Sequence, residues 1–139
     1  MAQIRKKLKT IWENNLKNRV IFLGKTNEVD EILCSSDLFL LPSEKESFGL
    51  AALEAMALKV PVISTNTGGL KELNINGNSG YTSDIGDIDS MASNAIKILS
   101  DKSLKKKYRS QAFENAKKYD IKKIIPLYEN IYNEAINIY

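Results

Sequence analysis

The sequence predicts an α/β fold, a Rossmann-like parallel sheet with helices on both faces. Three observations carry that expectation. Short apolar runs rich in strand formers recur at 20–23, 37–41 and 61–64, with a shorter one at 81–82. The runs are nearly continuous rather than alternating, which suits strands buried on both faces. Segments with helical spacing lie between them, and strand alternating with helix is the pattern of a parallel sheet whose crossovers return over its faces.

Ile4, Leu8, Ile11, Trp12 and Leu16 share one helical stripe, so the spacing predicts an amphipathic helix over 3–17. Val20-Ile21-Phe22-Leu23, closed by Gly24, reads as a strand, and Val29, Ile32 and Leu33 as a short helix. Asp37 to Leu41 forms the next strand, ended by Pro42. Residues 49–58 are dense in helix formers and almost wholly apolar, as expected of a buried helix. Pro61 to Ser64 is a third strand, followed by the loop Thr67-Gly68-Gly69 and a weak helix over 70–75. The turn cluster Asn76-Gly77-Asn78-Ser79-Gly80 then leads into a short strand at Tyr81-Thr82. Three helices close the chain at 87–100, 101–118 and 121–138, with Ile88, Met91, Ala95 and Leu99 lining one face of the first. With no internal repeat, low-complexity tract or linker, residues 1–139 read as a single partial domain with 121–138 its C-terminal helix.

A chain of 139 residues has room for one ordinary hydrophobic core. Its apolar content of 43% and charged content of 27% are those of a soluble globular protein. The net charge of +3 comes from 20 basic and 17 acidic residues, and the basic runs fall in different segments. That spread argues against a nucleic-acid footprint, which concentrates charge on one surface. No apolar run approaches the roughly 20 residues of a membrane span, and the basic start lacks the apolar core of a signal peptide. Cys34 is the single cysteine and sits in an apolar helical pattern, which predicts a buried packing residue and a reduced, cytoplasmic setting. Histidine is absent, which removes the commonest general base and metal ligand. Chemistry then falls to carboxylates, lysine, hydroxyls and backbone groups, with no metal or cofactor expected.

In open α/β sheets ligands bind at the carboxyl ends of strands, in the loops entering helices. The loop Pro42-Ser43-Glu44-Lys45-Glu46-Ser47-Phe48-Gly49 is the most informative here, because the apolar helix it enters carries Glu54. A glutamate there is costly to bury unless its oxygens are satisfied, by a structural salt bridge or hydrogen bond or by a ligand. Ser47, Phe48, Gly49 and Leu50 place free backbone N–H groups at a helix N-terminus, which suits phosphate or sugar hydroxyls. Gly49 allows close approach to the backbone, and Gly68-Gly69 offers a second such loop.

These residues resemble the signature of the large GT-B retaining glycosyltransferase family 4. The match lies in Leu-Pro-Ser-Glu-Lys-Glu-Ser-Phe-Gly-Leu-Ala-Ala-Leu-Glu-Ala-Met-Ala, then Val-Pro-Val-Ile-Ser-Thr and Gly-Gly-Leu-Lys-Glu. Asn76 to Tyr81, Gly86-Asp87, and a terminal helix with Tyr128 and Tyr132 extend it. The resemblance implies that Glu54 accepts hydrogen bonds from the nucleotide's ribose. It makes Glu46 the catalytic candidate, contacting donor-sugar hydroxyls with help from the Phe48 and Gly49 amides. The Leu50 region would face the diphosphate, and Lys25 would lie where the base is held through backbone groups. Ser47, Thr67 and Gly68 are further candidate contacts, although Ser47 and Thr67 also read as a helix cap and a turn residue. Glu72 is expected to be structural. The donor implied is a nucleotide-diphosphate sugar, UDP-linked, such as UDP-N-acetylglucosamine, and no metal is implied.

The sequence also departs from that family. Members have two Rossmann-like domains with the acceptor held by the N-terminal one, and this chain has no counterpart to that domain. By the same comparison, two strands before residue 3 are lacking, with the Arg and Lys that bind the diphosphate; Arg5, Lys6, Lys7 and Lys9 do not match them. The strand at 20–23 would be separated from 37–41 by the missing pair, so the expectation is a rearranged sheet, a gap filled by a partner chain, or exposed edges that favour homo-oligomers. The chain alone is expected to be inactive. The alternative is a non-catalytic nucleotide-sugar-binding or interaction module completed by a partner chain. A dinucleotide-binding oxidoreductase is disfavoured, since no Gly-x-Gly-x-x-Gly follows a strand.

Overall fold

The computed structural model describes residues 19–137, so the predicted helix over 3–17 lies outside the described residues. The elements run α1 (Val29–Cys34), β1 (Phe39–Leu41), α2 (Leu50–Ala57), β2 (Val62–Thr65), α3 (Leu70–Leu73) and β3 (Gly80–Ser83). They continue with α4 (Ile88–Ser100), α5 (Lys102–Ala116), a 3-10 turn at Lys117–Tyr119, and α6 (Ile121–Asn137). The three strands form one parallel sheet in the order β1-β2-β3. Phe39 stands opposite Val62, which stands opposite Gly80.

The central strand shows why both faces had to be apolar. All four residues of β2 are buried, and alternate side chains point to opposite faces. Val62 joins a core with Ala52, Ala55 and Met56 of α2, Leu70 and Leu73 of α3, and Ala112 and Ala116 of α5. Ile63 packs on the other face with Ile98 of α4 and Tyr108 of α5, supported by Leu38, Tyr81 and Met91. Tyr81 and Tyr108 meet edge to face, with ring centroids 5.3 Å apart. Helices therefore cover both faces, as the strand–helix alternation predicts.

Asp101 joins α4 to α5 and caps the second helix, its Oδ1 accepting from the amides of Ser103 at 2.8 Å and Leu104 at 2.9 Å. Asp101→Ala is expected to lower stability by about 1 kcal/mol, the usual size of a lost N-cap. Asp101→Asn should recover most of it, and denaturant titration of the three proteins measures both. Farther along α5, Lys105 bonds Asp37 at 2.8 Å. That hydrogen bond, then the charge behind it, holds the Asp37 carboxyl below the ordinary carboxylate range.

Three expectations need correction. Residues 20–23 form no strand: Ile21, Phe22 and Leu23 are 80%, 56% and 58% exposed, and β1 is the edge of the sheet on that side. An apolar run becomes a strand only where a neighbouring strand pairs with its backbone, and among the described residues β1 pairs with β2. Cys34 is exposed rather than buried, because α1 turns Leu33 inward instead. On α4 the fully buried residue is Ile98, with Met91 and Ala95 packed beside it, while Ile88 and Leu99 face outward. The terminal helix α6 is amphipathic, yet Ile125, Tyr128, Tyr132 and Ile136 are exposed. No helix among the described residues is long and apolar enough to cross a membrane.

Candidate functional site

The loop of residues 42–49 leaves the carboxyl end of β1 and enters α2, the position where a parallel sheet presents ligand-binding groups. Gly49 is the N-cap of α2 and adopts φ +92°, a left-handed conformation that L side chains rarely take. It is also buried, and a Cβ there would sit 2.5 Å from Leu70 Cδ2. The glycine thus lets the chain turn sharply into α2 against α3. Among the described residues, no backbone hydrogen bond uses the N–H groups of Phe48, Gly49, Leu50 or Ala51. These donors stand at the positive end of α2, as the sequence predicts.

Glu54 is exposed, contrary to the expectation of a carboxylate needing a buried partner. The reason is that α2 is apolar all round but buried on one side only. Ala52, Ala55 and Met56 face the core, while Leu50, Ala51, Glu54 and Ala57 face out. Leu50 and Glu54 are one turn apart, so they share the exposed face. The Leu50 side chain lines an apolar groove of about 560 Å³ with Phe48, Leu53 and Tyr119, closed by Ile124 and Leu127 of α6. Leu50 therefore offers an anion its N–H, not its side chain. The Phe48 ring meets Tyr119 edge to face, with centroids 5.4 Å apart.

Glu46 is half-buried and Ser47 exposed. Their backbone is fixed by the loop that follows β2. The Thr65 hydroxyl donates to the Ser43 carbonyl, and that of Thr67 donates to the Glu44 carbonyl at 3.2 Å. The Gly69 amide donates to the Ser47 carbonyl at 3.1 Å. Gly68 lies so close that a Cβ on it would come within 1.7 Å of the Glu46 carbonyl oxygen. The Gly68-Gly69 pair, expected as an approach for a ligand, is instead occupied by the backbone of residues 46–48. It shapes the Glu46 loop rather than opening beside it. Thr67 is the bridging turn residue its alternative reading describes, and Ser47 caps nothing with its side chain.

Lys25 is exposed in the bend after residues 20–23 and makes no hydrogen bond or ion pair with the described residues. The structure thus joins Glu46, Ser47, Phe48, Gly49, Leu50, Thr67 and Gly68 in one locality and puts Glu54 on the exposed face of the same helix. Glu72 is exposed, and its carbonyl accepts from the Tyr119 hydroxyl at 3.4 Å. No cluster of three metal-ligating side chains occurs among the described residues.

One residue that supports this region goes unremarked in the sequence. Asn74 is 1% exposed and ties β2 to β3 from the end of α3. Its Nδ2 donates to the Val62 carbonyl at 3.2 Å, Ser64 Oγ at 3.0 Å and the Tyr81 carbonyl at 3.0 Å. Its Oδ1 accepts from the Ser79 hydroxyl at 3.2 Å. Only its place just after the apolar pair Leu70 and Leu73 hints at burial.

This architecture and loop arrangement define a class. The profile of the family "Glycosyl transferases group 1" matches residues 3–119, and the chain belongs to that family of glycosyltransferases. The fold is that of the C-terminal domain of GT-B glycosyltransferases. Among named relatives, the chain is 43% identical to N-acetyl-alpha-D-glucosaminyl L-malate synthase of Bacillus anthracis over 123 residues, covering 88% of this chain and 32% of that protein. A solved C-terminal domain of a glycosyl transferase group 1 protein (LpcC) from Francisella tularensis superposes with a TM-score of 0.77 at 28% identity. That comparison covers 86% of this chain and 64% of the other. TarM of S. aureus, solved in a complex that includes UDP, matches with a TM-score of 0.82 at 25% identity, over 94% of this chain and 27% of TarM. The chain thus spans about a third or less of the full-length relatives it resembles here.

Proposed function

We propose that this chain is part of the donor-binding domain of a retaining glycosyltransferase, taking a UDP-sugar such as UDP-N-acetylglucosamine. The observation that carries the reading is the 42–49 loop: amides at the head of α2 with no backbone partner among the described residues, Glu46 with its carbonyl packed against Gly68, and Glu54 exposed on the outer face of the same helix. The 43% likeness to an N-acetylglucosaminyl transfer enzyme and the UDP bound by TarM support the choice of donor. Glu54 suits a ribose diol, because a carboxylate accepts two hydroxyl hydrogens at once. Glu46 contacts the sugar hydroxyls and is the residue nearest the chemistry. The Phe48, Gly49 and Leu50 amides receive the negative charge that grows on the departing diphosphate. Ser47, Thr67 and Gly68 shape this pocket, and Lys25 marks the base end. The acceptor is held by a separate N-terminal domain, and the 139 residues alone transfer no sugar.

Calorimetric titration of the chain with UDP and UDP-N-acetylglucosamine tests the division of labour. Glu54→Ala should weaken UDP by about 10- to 100-fold, the worth of one or two hydrogen bonds to a charged group. Glu46→Ala should leave UDP within about twofold and lose the added affinity of the sugar. Equal loss of plain UDP binding in both variants would overturn the assignment.

A second reading is favoured by the edge of β1, which among the described residues pairs only with β2 and leaves Leu40 half-exposed. In that reading the sheet is completed by another chain and the module binds donor without catalysing. Native mass measurement of the purified chain separates the two, since only the second requires a stable complex for donor binding.

A further inference from the structure

A second cleft of about 430 Å³ lies beyond the 42–49 loop, beside the edge strand β3. It is bounded by the segment after β2, by β3 itself and by the first two turns of α4. Asn66, Asn76, Thr82, Asp84, Ser90 and Asn94 supply its polar wall, with Tyr81, Ser83 and Asp87 completing it. None of residues 46–50 takes part, so it is separate from the donor loop. Its volume falls within the roughly 300–1,000 Å³ of small-molecule sites.

The chemistry of the wall selects the ligand. No lysine or arginine lines the cleft among the described residues, and two carboxylates do, which disfavours phosphates and other anions. A hard cation such as calcium wants about six to eight oxygens converging on one point. Here both carboxylates are already engaged: Asp84 accepts from the Asn66 amide at 2.6 Å, and Asp87 accepts from the Ser90 backbone N–H at 3.0 Å. Asn76 is held likewise, its Oδ1 accepting from the Thr82 amide at 3.0 Å. Those bonds fix the wall and leave the amide N–H groups of Asn76, both polar ends of Asn94 and the Thr82 hydroxyl without a partner among the described residues, while the Ser90 hydroxyl joins its own N–H in bonding Asp87. Donors and acceptors thus alternate along the wall, which is what a ring of hydroxyls requires, since each hydroxyl gives one hydrogen and takes others. Ser83 also lines the cleft, at 6% exposure, and its hydroxyl is buried with no hydrogen-bond partner among the described residues.

We propose that this cleft is a binding site for a neutral, polyhydroxylated ligand of monosaccharide size, distinct from the donor site. The ligand lies across Thr82 and α4, exchanging hydrogen bonds with Asn76, Thr82 and Asn94 and with the second carboxylate oxygen of Asp84. Its binding does not depend on the donor assignment, and the two sites fill independently.

The test is an NMR titration of the ¹⁵N-labelled 139-residue chain with N-acetylglucosamine and with glucose, and separately with calcium chloride and UDP. The sugars are expected to give saturable shifts at Asn76, Thr82, Ser83, Ser90 and Asn94, while UDP shifts residues 46–50 instead. Asn94→Leu, which plugs the cleft from a surface position, should weaken the sugar by about tenfold or more, the worth of one or two hydrogen bonds. Thr82→Val serves as a second variant and should weaken it less, with the folded spectrum retained in both. Absence of saturable sugar shifts in this cleft overturns the proposal, as do shifts there produced by calcium alone. Sugar binding that survives both variants unchanged would also sink it. Failure of UDP to bind leaves this result intact and counts only against the donor reading.

Discussion

Gly68→Ala is expected to lower the stability of the chain by about 2–5 kcal/mol and to abolish the UDP binding proposed for the 42–49 loop. Two costs add. Gly68 has φ +49°, where an L residue costs about 1–2 kcal/mol. Its new Cβ would stand 1.7 Å from the Glu46 carbonyl oxygen, so one of two backbones must move. Overpacking of that kind costs roughly 1–3 kcal/mol more, out of a total stability of about 5–15 kcal/mol. The atom displaced belongs to Glu46 itself, so whatever folded protein remains carries a shifted site. Gly77→Ala is the control: it has φ +74° but nothing within 4 Å of the added Cβ, so it bears the backbone strain alone. Urea titration of both variants measures the difference. Equal midpoints for the two would show that the contact with Glu46 is harmless.

Asn74→Leu should destabilise the chain by about 3 kcal/mol, since removing one partner leaves buried groups unsatisfied at roughly 1–3 kcal/mol each. Leucine has the same branched shape and leaves no cavity, so the loss reports unmade hydrogen bonds together with some overpacking by its larger methyl groups. The groups left behind are Ser64 Oγ, the Ser79 hydroxyl hydrogen, and the carbonyls of Val62 and Tyr81. Asn74→Asp should fare no better, because it turns the donor facing three acceptor oxygens into a fourth acceptor and brings charge into a buried site. Thermal unfolding of the variants reads the effect, and a leucine variant as stable as the parent would remove Asn74 from the account. Because Asn74 ties β2 to β3, its loss should also loosen the cleft beside β3 more than the groove under α6.

The two variants mark where local pattern stops being informative. The helices α2, α4, α5 and α6 follow from runs of helix formers and their spacing, and the strands from apolar runs between turn residues. That worked because each signal is contained within a dozen residues. The run at 20–23 carries the same local signal as β2 but remains exposed, since a strand also needs a neighbour, and the neighbour is a long-range matter. For a related reason the sequence suggests burial at Cys34 and Glu54, which are exposed. Both sit in apolar surroundings along the chain, yet a helix buries one stripe only, and the stripe is chosen by what packs against it.

The α/β class, the family, and the meeting of Glu46, Phe48 and Gly49 at a helix entrance are legible along the chain, because they depend on residue types at short fixed spacings. The tertiary structure alone decided that Gly68 serves the Glu46 carbonyl, that Asn74 fastens two strands, and that Glu54 is free to meet a ligand. Each of these is a contact or an exposure set by segments distant in the chain, and Gly68 reaches Glu46 across 21 intervening positions only once β1 and β2 lie side by side.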